Sequence, residues 1–212
     1  MHDGPHAKGV SAGGISHPAI RQTGEIRLIN APPREVSIPP TLAARRYVSP
    51  QARPLTAEEA EIRRIAYALK RGEEIDLAAR EMAGLIPPDL PTLTLVPVPS
   101  SSGCTEANRL LAHAIATAYG PQARVVAAML RVHPVESSCD RRRRGLPGLT
   151  AADHEFVRVG GWLALPVFLV DNVITTGATL TAARAAIGLG TGLVFADASP
   201  NYHMGRKRRK SG

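Results

Sequence analysis

Apolar positions along the chain follow two rhythms, and the changes between them mark out the elements. Ile62, Ile65, Ala66 and Leu69 recur at helical spacing behind Thr56, Glu58 and Glu59, a threonine cap with acids in the first turn, which predicts a helix over residues 56–71. A second helix is predicted over 75–85, stopped by Pro87 and Pro88, which cannot continue it. Then the types alternate: a strand at 93–98, a helix at 105–119 and a strand at 124–130. A polar stretch over 131–154 leads to a short strand at 156–159 and a near-continuous apolar run at 166–173. An uninterrupted apolar strand is buried on both faces, so this one should be central. A helix at 176–189, with Leu180, Ala183, Ala186 and Ile187 on one side, and a strand at 192–198 complete the pattern. The order predicts an α/β fold, a parallel sheet flanked by helices.

Residues 1–54 break the pattern, being rich in Gly, Pro, Ser and His, with proline pairs at 32–33 and 39–40 and one short strand expected at 25–29. The resulting division is a loose arm over 1–55, a domain over 56–200 with a helical lead-in at 56–90 and a core at 91–200, and a basic tail over 201–212. Aromatic residues make up only 4% of the 212 residues against 44% apolar, so the core must be filled by Ala, Val, Leu and Ile, as between helices and a parallel sheet. The formal charge of +8 is concentrated in residues 141–144 and 206–210. The tail reads equally as a solvated end and as a weak nucleic-acid contact, without aromatic residues to stack bases. Cys104 and Cys139 have no metal-ligand spacing, which leads us to expect reduced thiols and a cytoplasmic protein. No run of about eighteen apolar residues predicts a membrane span, and the start lacks an apolar signal region.

The chemistry concentrates in VFLVDNVITTGATL, residues 167–180, where a buried strand ends in an acid and turns through a Thr/Gly loop into a helix. Main-chain N–H groups at a helix N-terminus point outward, the helix dipole adds positive potential, and Gly177 lets an anion approach the backbone. Thr175, Thr176 and Thr179 add hydroxyl donors, and Asp171 can accept hydrogen bonds from a sugar diol. Phosphate together with ribose is the expected ligand chemistry. The loop is not the nucleoside-triphosphate type, since no Lys follows the glycine.

These residues resemble the phosphoribosyl pyrophosphate signature of type I phosphoribosyltransferases, in which hydrophobic residues precede two acids and a run ending in T-G-x-T. LTLVPVPS, residues 93–100, is similar to the first strand and pyrophosphate loop of the ComF-like, competence-associated branch, and residues 130–144 are similar to its flexible loop. The resemblance covers about residues 93–199. It implies that Asp171 and Asn172 hold the ribose hydroxyls, that Thr175, Thr176, Gly177, Ala178 and Thr179 wrap the 5-phosphate, and that Pro99, Ser100 and Ser101 face the pyrophosphate. Arg141 and Arg142, within the block 141–144, would close over the leaving group. It further implies Mg2+ held mainly through phosphoribosyl pyrophosphate, and transfer of the phosphoribosyl group to an unidentified base or amine. Two positions depart from the family pattern: Asn172 stands where a second acid is usual, and GCTEANR, residues 103–109, keeps only Asn108 of an Arg-Gly-Phe-Asn-Gln-like stretch. Thr175, where members acting on 6-oxopurines carry Asp, argues against that substrate class.

Three readings stay open at this point: an enzyme, a binding module that senses the ligand or serves DNA uptake, and a nucleic-acid binder resting on charge alone. A homodimer is compatible with all three. His133 and His154 read as exposed bystanders beside the arginine block, and Trp162 as a core or lid side chain. Neither cysteine is paired with a base.

Overall fold

A computed structural model of the chain describes residues 41–49 and 53–199. The chain divides into units of residues 1–35 and 36–212, the first lying outside the described residues. The strand expected at 25–29, the basic tail and the Cys139 side chain also lie outside them.

The framework is a parallel five-stranded sheet. Its strands are β1 (Thr41–Arg46), β2 (Leu93–Pro97), β3 (Ala123–Val125), β6 (Val167–Ile174) and β7 (Thr191–Asp197), in the order β1-β7-β6-β2-β3. Two further strands, β4 (Met129–Arg131) and β5 (Phe156–Arg158), pair antiparallel as a separate hairpin. The helices are α1 (Ala57–Leu69), α2 (Ile75–Ala83), α3 (Glu106–Tyr119), α4 (Ser138–Arg143) and α5 (Ala178–Ile187), with a short 3-10 turn at Ala151–Asp153. Among the described residues no helix is long and apolar enough to cross a membrane.

Alternation along the buried strands divides the core in two. Leu93, Leu95, Phe168, Val170, Leu193 and Phe195 pack against α1, α2 and α3. Val96, Val98, Val167, Leu169 and Val194 face the opposite way and pack with Leu180, Ala183 and Ile187 of α5 and Met129 of the hairpin. Fully burying one such Leu or Ile side chain contributes about 1.5–3 kcal/mol. The expected cap is present: Glu59 N–H donates to Thr56 Oγ1 at 3.2 Å, and Thr56 N–H to the Glu59 carboxylate at 2.9 Å.

Two expectations change. Residues 41–46, placed in the arm by composition, form the edge strand β1, parallel to β7 from Thr41 opposite Gly192 to Arg46 opposite Asp197. An edge strand is only half buried, and TLAARR carries too little apolar pattern to declare itself; Leu42 and Ala44 join one core and Ala43 the other. The strand expected at 124–130 is two strands in two sheets. After Val125 the chain leaves β2, and Met129–Arg131 pairs with β5 instead. One apolar run hides this bend, because Val125 and Met129 are both packed against core residues while belonging to different sheets.

The connections fix where a ligand can sit. From β2 the chain passes through α3, on one face, to β3 at the edge; from β6 it passes through α5, on the other face, to β7 on the opposite side. The winding therefore reverses between β2 and β6. In open α/β sheets the crevice at such a reversal, beyond the carboxyl ends of the strands, is where ligands bind.

Candidate functional site

The crevice is present as a cavity of about 320 Å³. Its floor arises from unequal strand lengths. Pairing of β2 with β6 ends at Pro97 opposite Val170, whereas β6 continues beside β7 to Ile174 opposite Asp197. Asp171 is the first residue past the point where β2 stops. Its Oδ1 accepts from Asn172 N–H at 2.8 Å and from Asn108 Nδ2 at 3.1 Å, and among the described residues nothing donates to Oδ2. Burial pushes the carboxyl above its ordinary range, opposed first by the Asn172 N–H, then by Asn108 and the charges of Lys70 and Arg131.

Asn172, Thr175 and Thr179 border the same cavity, as do Pro99, Ser100 and Ser101 from the loop after β2. Thr176, Gly177 and Ala178 line an adjoining recess of about 20 Å³, together with Thr175, Thr179, His154 and Asp171. All ten residues expected to contact the ligand therefore line the cavity or the recess beside it. Gly177 has φ 81°, a left-handed conformation that a side chain would strain, and no side chain caps the helix that follows it. Ala178 N–H reaches only Thr176 Oγ1, at 3.3 Å.

The arginine block divides. Arg142 borders the cavity, but Arg141 donates through Nε to the Pro147 carbonyl at 2.9 Å. Arg143 lies 3.5 Å from Asp140, and Arg144 binds Glu136 at 2.6 Å. The segment is in part the helix α4, its cap Ser137 accepting from Asp140 N–H at 3.1 Å. Trp162 is 76% exposed and so is not a core side chain. Exposed Cys104 borders the cavity as well.

Six residues outside the expected ligand set also line the cavity. His154 is not a bystander: it is 8% exposed and lines both the cavity and the recess. Arg131 crosses from β4 to the loop after β2, donating to Ser100 O at 2.7 Å and Pro99 O at 3.4 Å, with its guanidinium 4.3 Å over the Phe156 ring. Asn108 is buried and donates to Val98 O at 2.7 Å as well as to Asp171. Tyr47, beyond β1, and Tyr67 and Lys70, from α1 and its end, form a far wall. Asn108 alone left a usable trace in the sequence: it falls on the stripe of Leu111, Ala112 and Ile115, at i, i+3, i+4 and i+7, where a polar side chain needs a partner. Nothing local distinguishes Arg131 from the many other arginines.

Charge in the cavity is lopsided. Lys70, Arg131 and Arg142 line it against one carboxylate, Asp171. Burial draws the Arg131 basicity down, opposed by Asp171, yet a guanidinium remains protonated. The arrangement suits a ligand with several negative charges and a diol. Among the described residues no group of three or more His, Cys, Asp or Glu is placed to hold a metal ion. Comparison with protein-family models, with curated proteins and with solved structures gives no match.

Proposed function

We propose that the chain is a type I phosphoribosyltransferase-like protein that binds phosphoribosyl pyrophosphate with Mg2+ and transfers the phosphoribosyl group to a nitrogen acceptor, releasing pyrophosphate. The observation that carries this reading is the pairing of two polar loops, residues 99–101 and 175–179, around a single carboxylate at the point where the sheet's winding reverses. A sugar bearing phosphate at one end and pyrophosphate at the other has that sequence of charges.

In this reading the start of α5 takes the 5-phosphate through main-chain N–H groups and the Thr hydroxyls, and Asp171 Oδ2 accepts from a ribose hydroxyl. Ser100, Ser101 and Arg142 face the pyrophosphate, whose charge grows as its bond to C1 breaks and the acceptor nitrogen bonds to C1. Fixed donors aimed at that growing charge, and the orientation of the two reactants, are the protein's contribution. The donor set suits an ion carried by the ligand rather than a protein cage, because Asp171 is the single carboxylate lining the cavity; Mg2+ would supply charge neutralisation at the pyrophosphate. A cytoplasmic setting suits exposed Cys104 as a thiol.

Two observations favour a second reading, a ligand-binding regulator. Asn172 removes one negative charge from the ribose site, and His154 has the ring nitrogen nearest Arg131 already occupied. Titration calorimetry with phosphoribosyl pyrophosphate, with and without Mg2+, followed by a screen for pyrophosphate release with candidate bases, separates the readings. Magnesium-dependent binding with turnover supports the enzyme, binding without turnover the regulator, and no binding rejects both.

A further inference from the structure

His154 sits between the hairpin and α5, nine-tenths buried, its ring stacked 6.2 Å from that of Phe156. Arg131 approaches its Nδ1 at 2.9 Å. A guanidinium has only N–H groups to offer, so Nδ1 must hold a lone pair, and in the neutral ring the proton must be on Nε2. That atom is 3.5 Å from Thr179 Oγ1, too long for a strong hydrogen bond, and the ring borders the recess at the start of α5. The donor is therefore buried, aimed at the helix N-terminus and underused. Arg131 meanwhile has each donor nitrogen engaged: Nε with Ser100 O, one terminal nitrogen with His154, the other with Pro99 O.

We propose that His154 is a phosphate-binding residue, a neutral imidazole locked as the Nε2–H tautomer, and that Arg131 is the positioning residue that locks it while tying it to the loop after β2. The ligand class at this donor is a phosphate monoester. This rests on the proposed reading of the α5 N-terminus as the 5-phosphate site and deepens it: His154 supplies a side-chain donor there, and it cannot serve as a general base, since Nδ1 is occupied and Nε2 already carries its proton.

The charges facing the ring agree. Arg131 reaches it from β4, Asp153 from the 3-10 turn, Asp171 across the recess from β6 and Arg142 across the cavity from α4. Burial and then the Arg131 charge hold the imidazole below its ordinary value of 6.5, with Asp153 opposing, which keeps it a neutral donor at pH 7.

Two measurements on the full chain test this. Two-bond proton–nitrogen correlation spectra at pH 7.5 report the His154 tautomer; an Nε2–H pattern is expected, and an Nδ1–H or doubly protonated pattern overturns the lock. Calorimetry with ribose 5-phosphate and with pyrophosphate then compares H154Q, whose amide nitrogen reaches the Nε2 position, with H154N, which reaches only Nδ1. H154Q should hold ribose 5-phosphate within about threefold of the parent and H154N should lose about tenfold or more, the scale of one hydrogen bond to a charged group. Equal losses in the two variants overturn the donor role. R131K should weaken both probes together; an effect on pyrophosphate alone overturns the lock of Arg131 on His154. A parent that binds neither probe rejects the phosphate site itself, a failure distinct from that of the tautomer, which the spectra read without ligand.

Discussion

At the rim of the cavity the chain twice turns from a parallel strand into a helix, after β2 and after β6, and the two turns are built differently. The first is closed on itself: Ser100 N–H donates to Cys104 O at 2.9 Å, Gly103 N–H to Ser100 O at 3.0 Å, and Arg131 holds it from outside. The helix it enters, α3, has Glu106 in its first turn, paired with Arg109 at 2.7 Å. The second turn enters α5, whose first turn holds no acid and whose cap is a glycine. The other helices among the described residues, α1, α2 and α4, carry Glu58 and Glu59, Asp76, and Asp140 at that place. A carboxylate there stabilises a helix by roughly 0.3–1 kcal/mol, so its omission at α5 alone leaves positive potential for an anion from outside.

The comparison can be broken at Asp171, where the effects are largest and opposite in sign. D171N should lower affinity for phosphoribosyl pyrophosphate by about 10- to 100-fold, on the scale of one hydrogen bond to a charged group lost at a ribose hydroxyl. The same change should raise the melting temperature of the ligand-free protein at pH 7. Burial raises the folded-state pKa of Asp171 above 3.8, so the stability tied to its protonated form is present below that value and lost as pH rises through the folded one. The gain from D171N should therefore disappear as the pH falls toward 3.8, which thermal scans across pH would show.

Next in size is T179D, which gives α5 the acid its sisters have. Affinity for ribose 5-phosphate should fall by about tenfold or more through like-charge repulsion, while helix stability rises by a few tenths of a kcal/mol. Calorimetry and thermal unfolding should move in opposite directions. R142A should cost about tenfold in pyrophosphate affinity and R143A almost nothing, because only the former side chain borders the cavity. Smallest is E106Q on the self-closed side: a slight loss of stability, with ligand affinity unchanged.

The sequence made the strands and helices of the sheet legible where burial is complete, because a strand covered on both faces, such as residues 167–170, cannot hide its apolar run. It also placed Asp171, Thr175, Gly177 and Thr179 at a strand-to-helix turn, since the turn chemistry is local. Long-range partners were not legible. Arg131 acts on residues 31 positions back and 23 ahead, and no local pattern distinguishes it from an arginine facing water. His154 failed for the same reason: the residue is short of apolar neighbours in sequence and gains its burial from α5 and the hairpin. The four arginines at 141–144 carried the right charge, but which one faces the cavity depends on the phase of a six-residue helix.

The edge strand β1 has a consequence for the chain in company. Beneath it lies TGLVFAD of β7, buried from Gly192 to Asp197 and free of proline. Stripped of β1, that strand would present a row of unpaired main-chain groups beside an apolar surface, a template for pairing with another molecule. β1 covers it with a strand of only six residues whose own outer rim ends in Arg45 and Arg46, and Arg45 is anchored to Glu81 of α2 at 2.6 Å. A cut between residues 47 and 56 would release the cover and leave the rest of the sheet prone to self-association. Tyr47, a wall of the cavity, follows β1 directly, so the segment that covers β7 also completes the cavity.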